Sequence, residues 1–436
     1  MNIQKFQLIY AHIICFKDDP SQVGDKALTD YKTGALIIDD KGKITWVGDK
    51  ANLPNKYKQV PSTNFGKKYL MAGFIDTHLH YPQYRMLAAP AKNLMDWLNR
   101  FTFKEEALYG DIDHASQAAE LFLDFLLAHG TTSAMAFSSV HKQAANCLFE
   151  ATDKRNMAFI TGKTMMDRNA PENILDDPEQ GALDSQSLID KWHGKGRQRY
   201  AITPRFAITS SDAQLKLSGQ LYKNNPSCYL QTHLSESLEE INMVKDLFPK
   251  AKDYTDVYDH FGILGKNSFF GHGIHLSERE CQALSASHSK VVHCPTSNMF
   301  LGSGLLNIEY LKNASNPVDV SLASDIGGGT NYSMLHTIGE AFKIASYNNV
   351  SLSAYQGFYM ATLGNAKQLG LENEIGSIKV KNWADFIIID PEATPVLAAR
   401  QQLSESLEDA LFALAILGDD RAIKATYIAG RCLHNS

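Results

Sequence analysis

Two histidines one residue apart open the chemistry of this chain. In Gly73-Phe-Ile-Asp-Thr-His78-Leu-His80 the run before them reads as a strand. A strand places residues i and i+2 on one face, so His78 and His80 point the same way while Leu79 turns aside. Two imidazoles fixed on one strand end make half a site for a borderline cation such as zinc. An isolated H-x-H is weak, but three later runs also end in ligand-type residues. Gln231-Thr-His233, Phe270-Gly-His272 and Ala323-Ser-Asp325 each close an apolar segment. Glu236 follows in His233-Leu-Ser-Glu236, a carboxylate placed to reach a metal-activated water without binding the metal. The same tetrapeptide recurs at His275-Leu-Ser-Glu278. There Ser277 fits a helix N-cap and Glu278 a first-turn carboxylate facing the helix dipole, a structural role.

These residues are spread over some 250 positions, so a particular scaffold must gather them. Between residues 71 and 372, eight short apolar runs alternate with helical stretches, near 71–78, 131–138, 157–165, 199–206, 228–234, 268–272, 289–294 and 318–325. Helices are expected over His114–His129 and Ser333–Ser346, and two more open on the capping boxes Ser237-x-x-Glu240 and Ser277-x-x-Glu280. Strand and helix repeated eight times is the pattern of an α/β (β/α)8 TIM barrel, whose strands all aim their C-terminal ends at one face. His78, His80, His233, His272 and Asp325 then converge at that face. The chain ends read as β. Gly34–Asp39 and Lys43–Gly48 flank a Gly-containing turn, Trp383–Ile389 stops at Asp390-Pro391, and a last hairpin spans Ile423–Ile428 and Arg431–Leu433. A helix over Ser404–Leu417 ends before Gly418. Residues 1–70 and 373–436 are therefore expected to join into a small composite β-sandwich domain beside the barrel of 71–372.

Composition narrows the function. The 436 residues are 44% hydrophobic and 21% charged, as in a globular chain with an ordinary core. A net charge of −6 argues against a general nucleic-acid binder. No run approaches a membrane span, and the first 16 residues do not form a signal peptide. The six cysteines are scattered with no C-x-x-C, which suits free thiols in a reducing cytoplasm. It also excludes a cytidine-deaminase type of zinc site, which needs P-C-x-x-C.

Several other residues carry weaker signals. Lys163, on the third expected strand, could be modified to bridge two metals, but a hydrogen bond within the pocket is favoured. His293 either lines the pocket or packs as a neutral ring. The run Gly327-Gly-Gly329 lacks the spacing of a phosphate loop and reads as a tight turn. The remaining histidines, such as His12 and His336, belong to no constellation.

Further segments resemble a known family. Pro82-Gln83-Tyr84, Asp96-Trp97-Leu98-Asn99 with Phe101-Thr-Phe103, and Ile202-Thr-Pro-Arg205-Phe206 are similar to the guanine deaminase family of the amidohydrolase superfamily. So are Tyr254-Thr-Asp-Val-Tyr258, His293-Cys-Pro-Thr-Ser-Asn298, Ser303-Gly-Leu-Leu-Asn307 and Ser333-Met-Leu335. The likeness runs over roughly 34–434. One departure is Ala323-Ser324 before Asp325, where the family often has Gly-Thr; the ligand itself is kept.

The resemblance implies one Zn2+ per subunit (iron is the alternative), a homodimer, and hydrolysis of guanine, a small-molecule substrate, to xanthine and ammonia. It implies that His78, His80, His233, His272 and Asp325 hold the metal and that Glu236, His272 and Asp325 are catalytic. By the same resemblance Gln83, Trp97, Arg205, Phe206, His233 and Glu236 bind substrate. Arg205 would read O6 and Gln83 the amide-like edge, with Trp97 and Phe206 walling the ring. Two rivals remain. One is another hydrolase on the same barrel acting on a triazine, cytosine or a nucleoside-like thioether. The other is a non-catalytic barrel scaffold, which would be expected to lack some ligands.

Overall fold

The computed structural model describes residues 5–313 and 315–436. The first four residues of the segment expected to open the terminal β domain lie outside the described residues. Eight strands form the barrel: β1 Phe74–His80, β2 Thr131–Phe137, β3 Ala158–Gly162, β4 Gln198–Pro204, β5 Tyr229–Leu234, β6 Ser268–His272, β7 Lys290–His293 and β8 Asp319–Leu322. Each pairs in parallel with the next. Every residue of β1, β2, β3, β5, β6 and β7 is buried, as a parallel sheet covered by helices requires. The seam between β8 and β1 is drawn together by side chains and loop backbone. Thr77 Oγ1 donates to the Leu322 carbonyl at 3.2 Å, and the Asp325 N–H to the His78 carbonyl at 2.9 Å. Ser324, the departure noted above, donates its hydroxyl and its N–H to the buried carboxylate of Asp76 on β1.

The run expected over 157–165 divides at Lys163 into Ala158–Gly162 and Thr164–Met165, and two other expected boundaries move, each for a local reason. The run expected over 71–78 joins two strands: Ser62–Ala72 belongs to the terminal sheet, and β1 starts after Gly73. A Cβ on Gly73 would sit 2.1 Å from the Thr132 side chain, so the chain can cross between the sheets only on glycine. The run expected over 318–325 stops at Leu322, because Ala323–Asp325 turn out of the strand and Asp325 takes a left-handed φ of 55°. The helix expected over His114–His129 spans Ile112–Ala128, and that over Ser333–Ser346 spans Met334–Tyr347. Both capping boxes are formed.

The two chain ends build one seven-stranded sheet in the order Arg431–Asn435, Ile423–Ile428, Phe386–Ile389, Ser62–Ala72, Phe6–Phe16, Leu28–Asp39, Ile44–Asp49. Phe386–Ile389 lies antiparallel to Ser62–Ala72 and so joins late sequence to early. Both expected hairpins are present. The helix expected from Ser404 begins at Leu407, where Ser406 accepts the Asp409 N–H at 3.1 Å. Gly418 ends it with an extended backbone. Glycine is needed there for space, since a Cβ would meet the Leu414 carbonyl at 2.4 Å.

A buried ion pair ties the sheet to the foot of the barrel. Arg197, just before β4, pairs with Asp385, just before Phe386–Ile389, and both side chains are under 4% exposed. Arg197 Nη1 also donates to the Asn156 carbonyl at 2.7 Å, and Asp385 Oδ1 accepts the Ala429 N–H at 2.8 Å. Removing one partner strands a buried charge. Asp385→Ala is therefore expected to cost about 3–5 kcal/mol of stability, read from the urea midpoint. A midpoint like that of the parent would show that this pair does not hold the sheet to the barrel.

Candidate active site

The C-terminal ends of β1, β5, β6 and β8 meet around one cluster. His78 and His80 leave β1 on the same face, with ring centroids 5.2 Å apart. His233 comes from β5, and His272 ends β6 with φ 71°. Asp325 comes from the turn after β8. Nitrogens of His78, His80 and His233 lie within 4.8 Å of one another, and so do ligand atoms of His78, His272 and Asp325. His80 Nε2 is 3.2 Å from His233 Nε2 and 3.4 Å from Asp325 Oδ1. His272 Nε2 is 3.8 Å from Asp325 Oδ2. All five expected ligands are thus brought together, from strands at opposite ends of the chain.

Three observations show that this group could hold a metal. His78 Nε2 is fully buried without a hydrogen-bond partner, although Asp325 Oδ1 lies 3.4 Å away. A buried ring nitrogen in that state is costly unless something binds it. The outer nitrogens of two rings are engaged: His233 Nδ1 meets the Arg205 carbonyl at 2.7 Å, and His272 Nδ1 meets Asn298 Oδ1 at 2.9 Å. A carbonyl oxygen only accepts, so each Nδ1 carries the proton and each Nε2 turns its lone pair inward. The charges also suit. Burial lowers the His80 pKa to about 4 and that of His233 well below the ordinary value, so both stay neutral at pH 7. Burial works against ionising Asp325, but the close approach of the His78, His80 and His272 rings outweighs it and holds the carboxyl well below its usual range. Neutral nitrogens with one carboxylate are a borderline-cation donor set.

Glu236 stands beside the cluster and belongs to neither ligand trio. The chain leaves β5 through Ser235 at φ 48°, which turns Glu236 back over the site. Its Oε2 is 3.5 Å from His272 Nε2, and its Oε1 accepts the Ser303 hydroxyl at 2.9 Å. Burial, then the nearby Asp325 charge, pushes its pKa up to about 8. The repeated tetrapeptide behaves differently. Ser277 caps the helix Glu278–Ala286, and Glu278 is exposed. His275 Nε2 contacts the Ser303 carbonyl at 2.8 Å, which helps fix the residue that holds Glu236.

A cavity opens over the cluster, lined by His80, His233, His272, Asp325 and Glu236 and by Gln83, Trp97, Arg205 and Phe206. Trp97 sits in the short helix Leu94–Trp97, and its buried Nε1 has no partner among the described residues. Arg205 both lines the cavity and is paired: its Nη1 meets Glu106 Oε1 at 2.7 Å and Oε2 at 2.8 Å. Glu106 was not evident from the sequence, nor were Asn298 and Ser303, although the last two lie in segments that resemble the family. Lys163 lies apart from the cavity, ion-paired with Asp176. His293 is fully buried, away from the cavity wall, and burial lowers its pKa to about 3. In the run Gly327–Gly329, a tight turn, the Gly329 N–H returns to the Asp325 carbonyl at 2.5 Å.

A parallel barrel with a buried histidine and carboxylate cluster at its C-terminal mouth defines a class, the barrel hydrolases that work with a metal. The chain belongs to the amidohydrolase family, whose model matches residues 69–433. It is 43% identical to the guanine deaminase of Escherichia coli over 96% of this chain and 94% of that one. It is 34% identical to a probable guanine deaminase of Deinococcus radiodurans, covering 93% of each chain. Among solved structures, Escherichia coli guanine deaminase superposes with a TM-score of 0.94 at 41% identity, covering 98% of this chain and 99% of that one. Guanine deaminase from C. acetobutylicum with bound guanine does so at 0.89 and 30%, covering 98% and 100%. A triazine hydrolase at 18% identity, with a TM-score of 0.83 over 99% of this chain and 95% of its own, shares the fold alone. Among the described residues no helix is long and apolar enough to cross a membrane, and all six cysteines are free thiols.

Proposed function

We propose that this protein is a guanine deaminase, which hydrolyses guanine to xanthine and ammonia using one zinc ion per subunit and works as a homodimer. One observation carries the reading: a single cavity joins the ligand cluster, the proton-holding Glu236, and a wall built from Gln83 and Arg205. The relatives named above, similar over nearly the whole chain, support it.

His78, His80, His233, His272 and Asp325 would hold the ion. When bound, it would lower the pKa of a water from near 16 toward about 7, giving a nucleophile at neutral pH. The protein's own groups do the rest. Asp325, a carboxylate in the folded chain, accepts the proton of the attacking water. As the amino-bearing ring carbon C2 becomes tetrahedral, N3 gains basicity, and Glu236 delivers a proton to it. Now ionised, Glu236 takes the hydroxyl proton of the tetrahedral carbon and passes it to the departing amine, and the proton held by Asp325 then returns to Glu236, so that water and guanine leave as xanthine and ammonia. Its raised pKa suits a group that must hold a proton near pH 7 and then release it. His272 orients the water. Trp97 and Phe206 enclose the flat ring and exclude solvent.

Arg205 reads the O6 carbonyl, and its guanidinium can only donate. An amino group at that position would set donor against donor, and unpaired buried donors are costly. Arg205→Ala is expected to raise the guanine KM about 10–100-fold with metal content unchanged, since charged hydrogen bonds contribute about 1.5–3 kcal/mol. Its thermal midpoint should also fall, because Glu106 loses its cation. An unchanged KM would remove Arg205 from substrate recognition.

The test of the whole reading is ammonia release from guanine, adenine, cytosine, guanosine and a triazine, with metal analysis of the same preparation. Release from guanine alone is the expected result. Turnover of the triazine or cytosine instead would favour another activity on this barrel. Under about 0.1 metal per chain with no turnover would favour a scaffold. Sedimentation of the purified chain tests the dimer.

A further inference from the structure

Glu106 takes no part in the mechanism above, yet it holds both side chains that face the purine edge. It lies in the short helix Phe103–Ala107, is 1% exposed, and does not line the cavity. Its Oε1 accepts from Gln83 Nε2 at 2.9 Å and from Arg205 Nη1 at 2.7 Å, and its Oε2 accepts from the same Nη1 at 2.8 Å. On its other side, Gln83 Oε1 accepts the Gly327 N–H at 3.2 Å. We propose that Glu106 is a positioning residue that fixes which way Gln83 and Arg205 present their hydrogen-bonding groups and so sets the selectivity for a purine carbonyl over a purine amine. The inference rests on the guanine deaminase reading and adds to it a residue that never touches the substrate.

The argument is one of polarity. The terminal amide of glutamine is a broad, nearly two-fold rotor, so an unrestrained Gln83 could show a ligand either its oxygen or its NH2. Between Glu106 and Gly327 only one orientation pairs donors with acceptors. Flipping the amide would set Oε1 against a carboxylate oxygen and Nε2 against an N–H. With Nε2 turned toward Glu106 and Oε1 toward Gly327, the groups left for a ligand are the second N–H of Nε2 and the second lone pair of Oε1, each in a fixed place. Arg205 is fixed in the same way. One nitrogen sits astride the carboxylate, and Nε and Nη2 have no partner among the described residues on a side chain that lines the cavity. The wall therefore offers donors from Arg205 and Gln83 Nε2 and a single acceptor position at Gln83 Oε1. It suits a ring carbonyl beside an N–H and rejects an amino group at the carbonyl's place.

The test compares guanine with 2,6-diaminopurine, which carries the same reactive C2 amine but an amine in place of the C6 carbonyl. Glu106→Gln removes the charge and lets the Gln83 amide turn. The guanine to 2,6-diaminopurine ratio of kcat/KM should fall about tenfold or more, mostly through the guanine KM, with kcat falling less and metal content unchanged. Glu106→Asp keeps the charge, so the pair with Arg205 stays compensated and the variant folds even if the first does not. Its shorter carboxylate should raise the guanine KM while recovering part of the selectivity. An Asp variant with the parent's KM and ratio would make Glu106 a charge compensator only and overturn the inference, as would a Gln variant that keeps the ratio. Wild-type protein that releases no ammonia from guanine would defeat the guanine deaminase reading itself. Active wild type with selectivity unmoved in the variants would defeat this inference alone.

Discussion

Glu236→Gln is expected to keep a full complement of metal and to lose about 10²–10⁴-fold in kcat. The two halves of this expectation come from different distances. Glu236 stands outside both ligand trios, so replacing its carboxylate removes no metal donor. Its Oε1 accepts from the Ser303 hydroxyl, and a glutamine carbonyl can take that bond unchanged. What glutamine cannot do is accept and release a proton at N3 and at the leaving amine. Burial and the Asp325 charge raise the Glu236 pKa to about 8, which makes it a donor at neutral pH. The amide has no such equilibrium. Ammonia release from guanine, with metal per chain on the same sample, checks both halves. Loss of metal would make Glu236 a ligand; kcat within tenfold of the parent would remove it from the proton transfers.

What could be read from the sequence follows from what short-range periodicity encodes. His78 and His80 were legible because a strand repeats every two residues, and His233 and His272 because they lie in the last two residues of β5 and β6. Asp325 was legible as the end of an apolar run, although its backbone has left the strand and turned left-handed. Glu236 was separated from Glu278 by position alone, one beside a ligand strand and the other at a capped helix. The boundary at Gly73 was hidden because Tyr69–Ala72, the end of the preceding strand, and β1 are both buried and largely apolar, and the close approach of Thr132 divides them. Glu106 was hidden for a deeper reason. It sits in a short helix 99 residues from Arg205, and no local pattern distinguishes its carboxylate from that of the neighbouring Glu105. A bond whose partners come from three distant segments has no spacing to read.

Asp325→Asn should do what Glu236→Gln does not, and lose the metal together with the activity. Asp325 is the one carboxylate among the five proposed ligands. It faces His78 and His80 at 3.4 Å and His272 at 3.8 Å, so its charge offsets that of the cation while the rings supply neutral nitrogens. Asparagine keeps the size of the side chain and tolerates a left-handed backbone, so the φ of 55° adds no strain of its own. An alanine at that φ would confuse a backbone defect with a lost ligand. Asparagine also cannot take the proton of the attacking water, so metal added in excess should not restore the rate. Metal-ion activation contributes several kcal/mol of transition-state stabilisation, and each 1.36 kcal/mol is a factor of ten. The expected loss in kcat/KM is therefore about 10³-fold or more. Thermal melts separate loss of metal from loss of fold. After chelation, parent and variant should melt together; zinc should then raise the parent's midpoint by binding the folded state and leave that of Asp325→Asn almost unmoved. A variant that recovers full zinc stabilisation while remaining inactive would confine Asp325 to proton transfer and leave the imidazoles as sufficient ligands. One that recovers both binding and rate would show that the cluster at the barrel mouth does not work through its carboxylate.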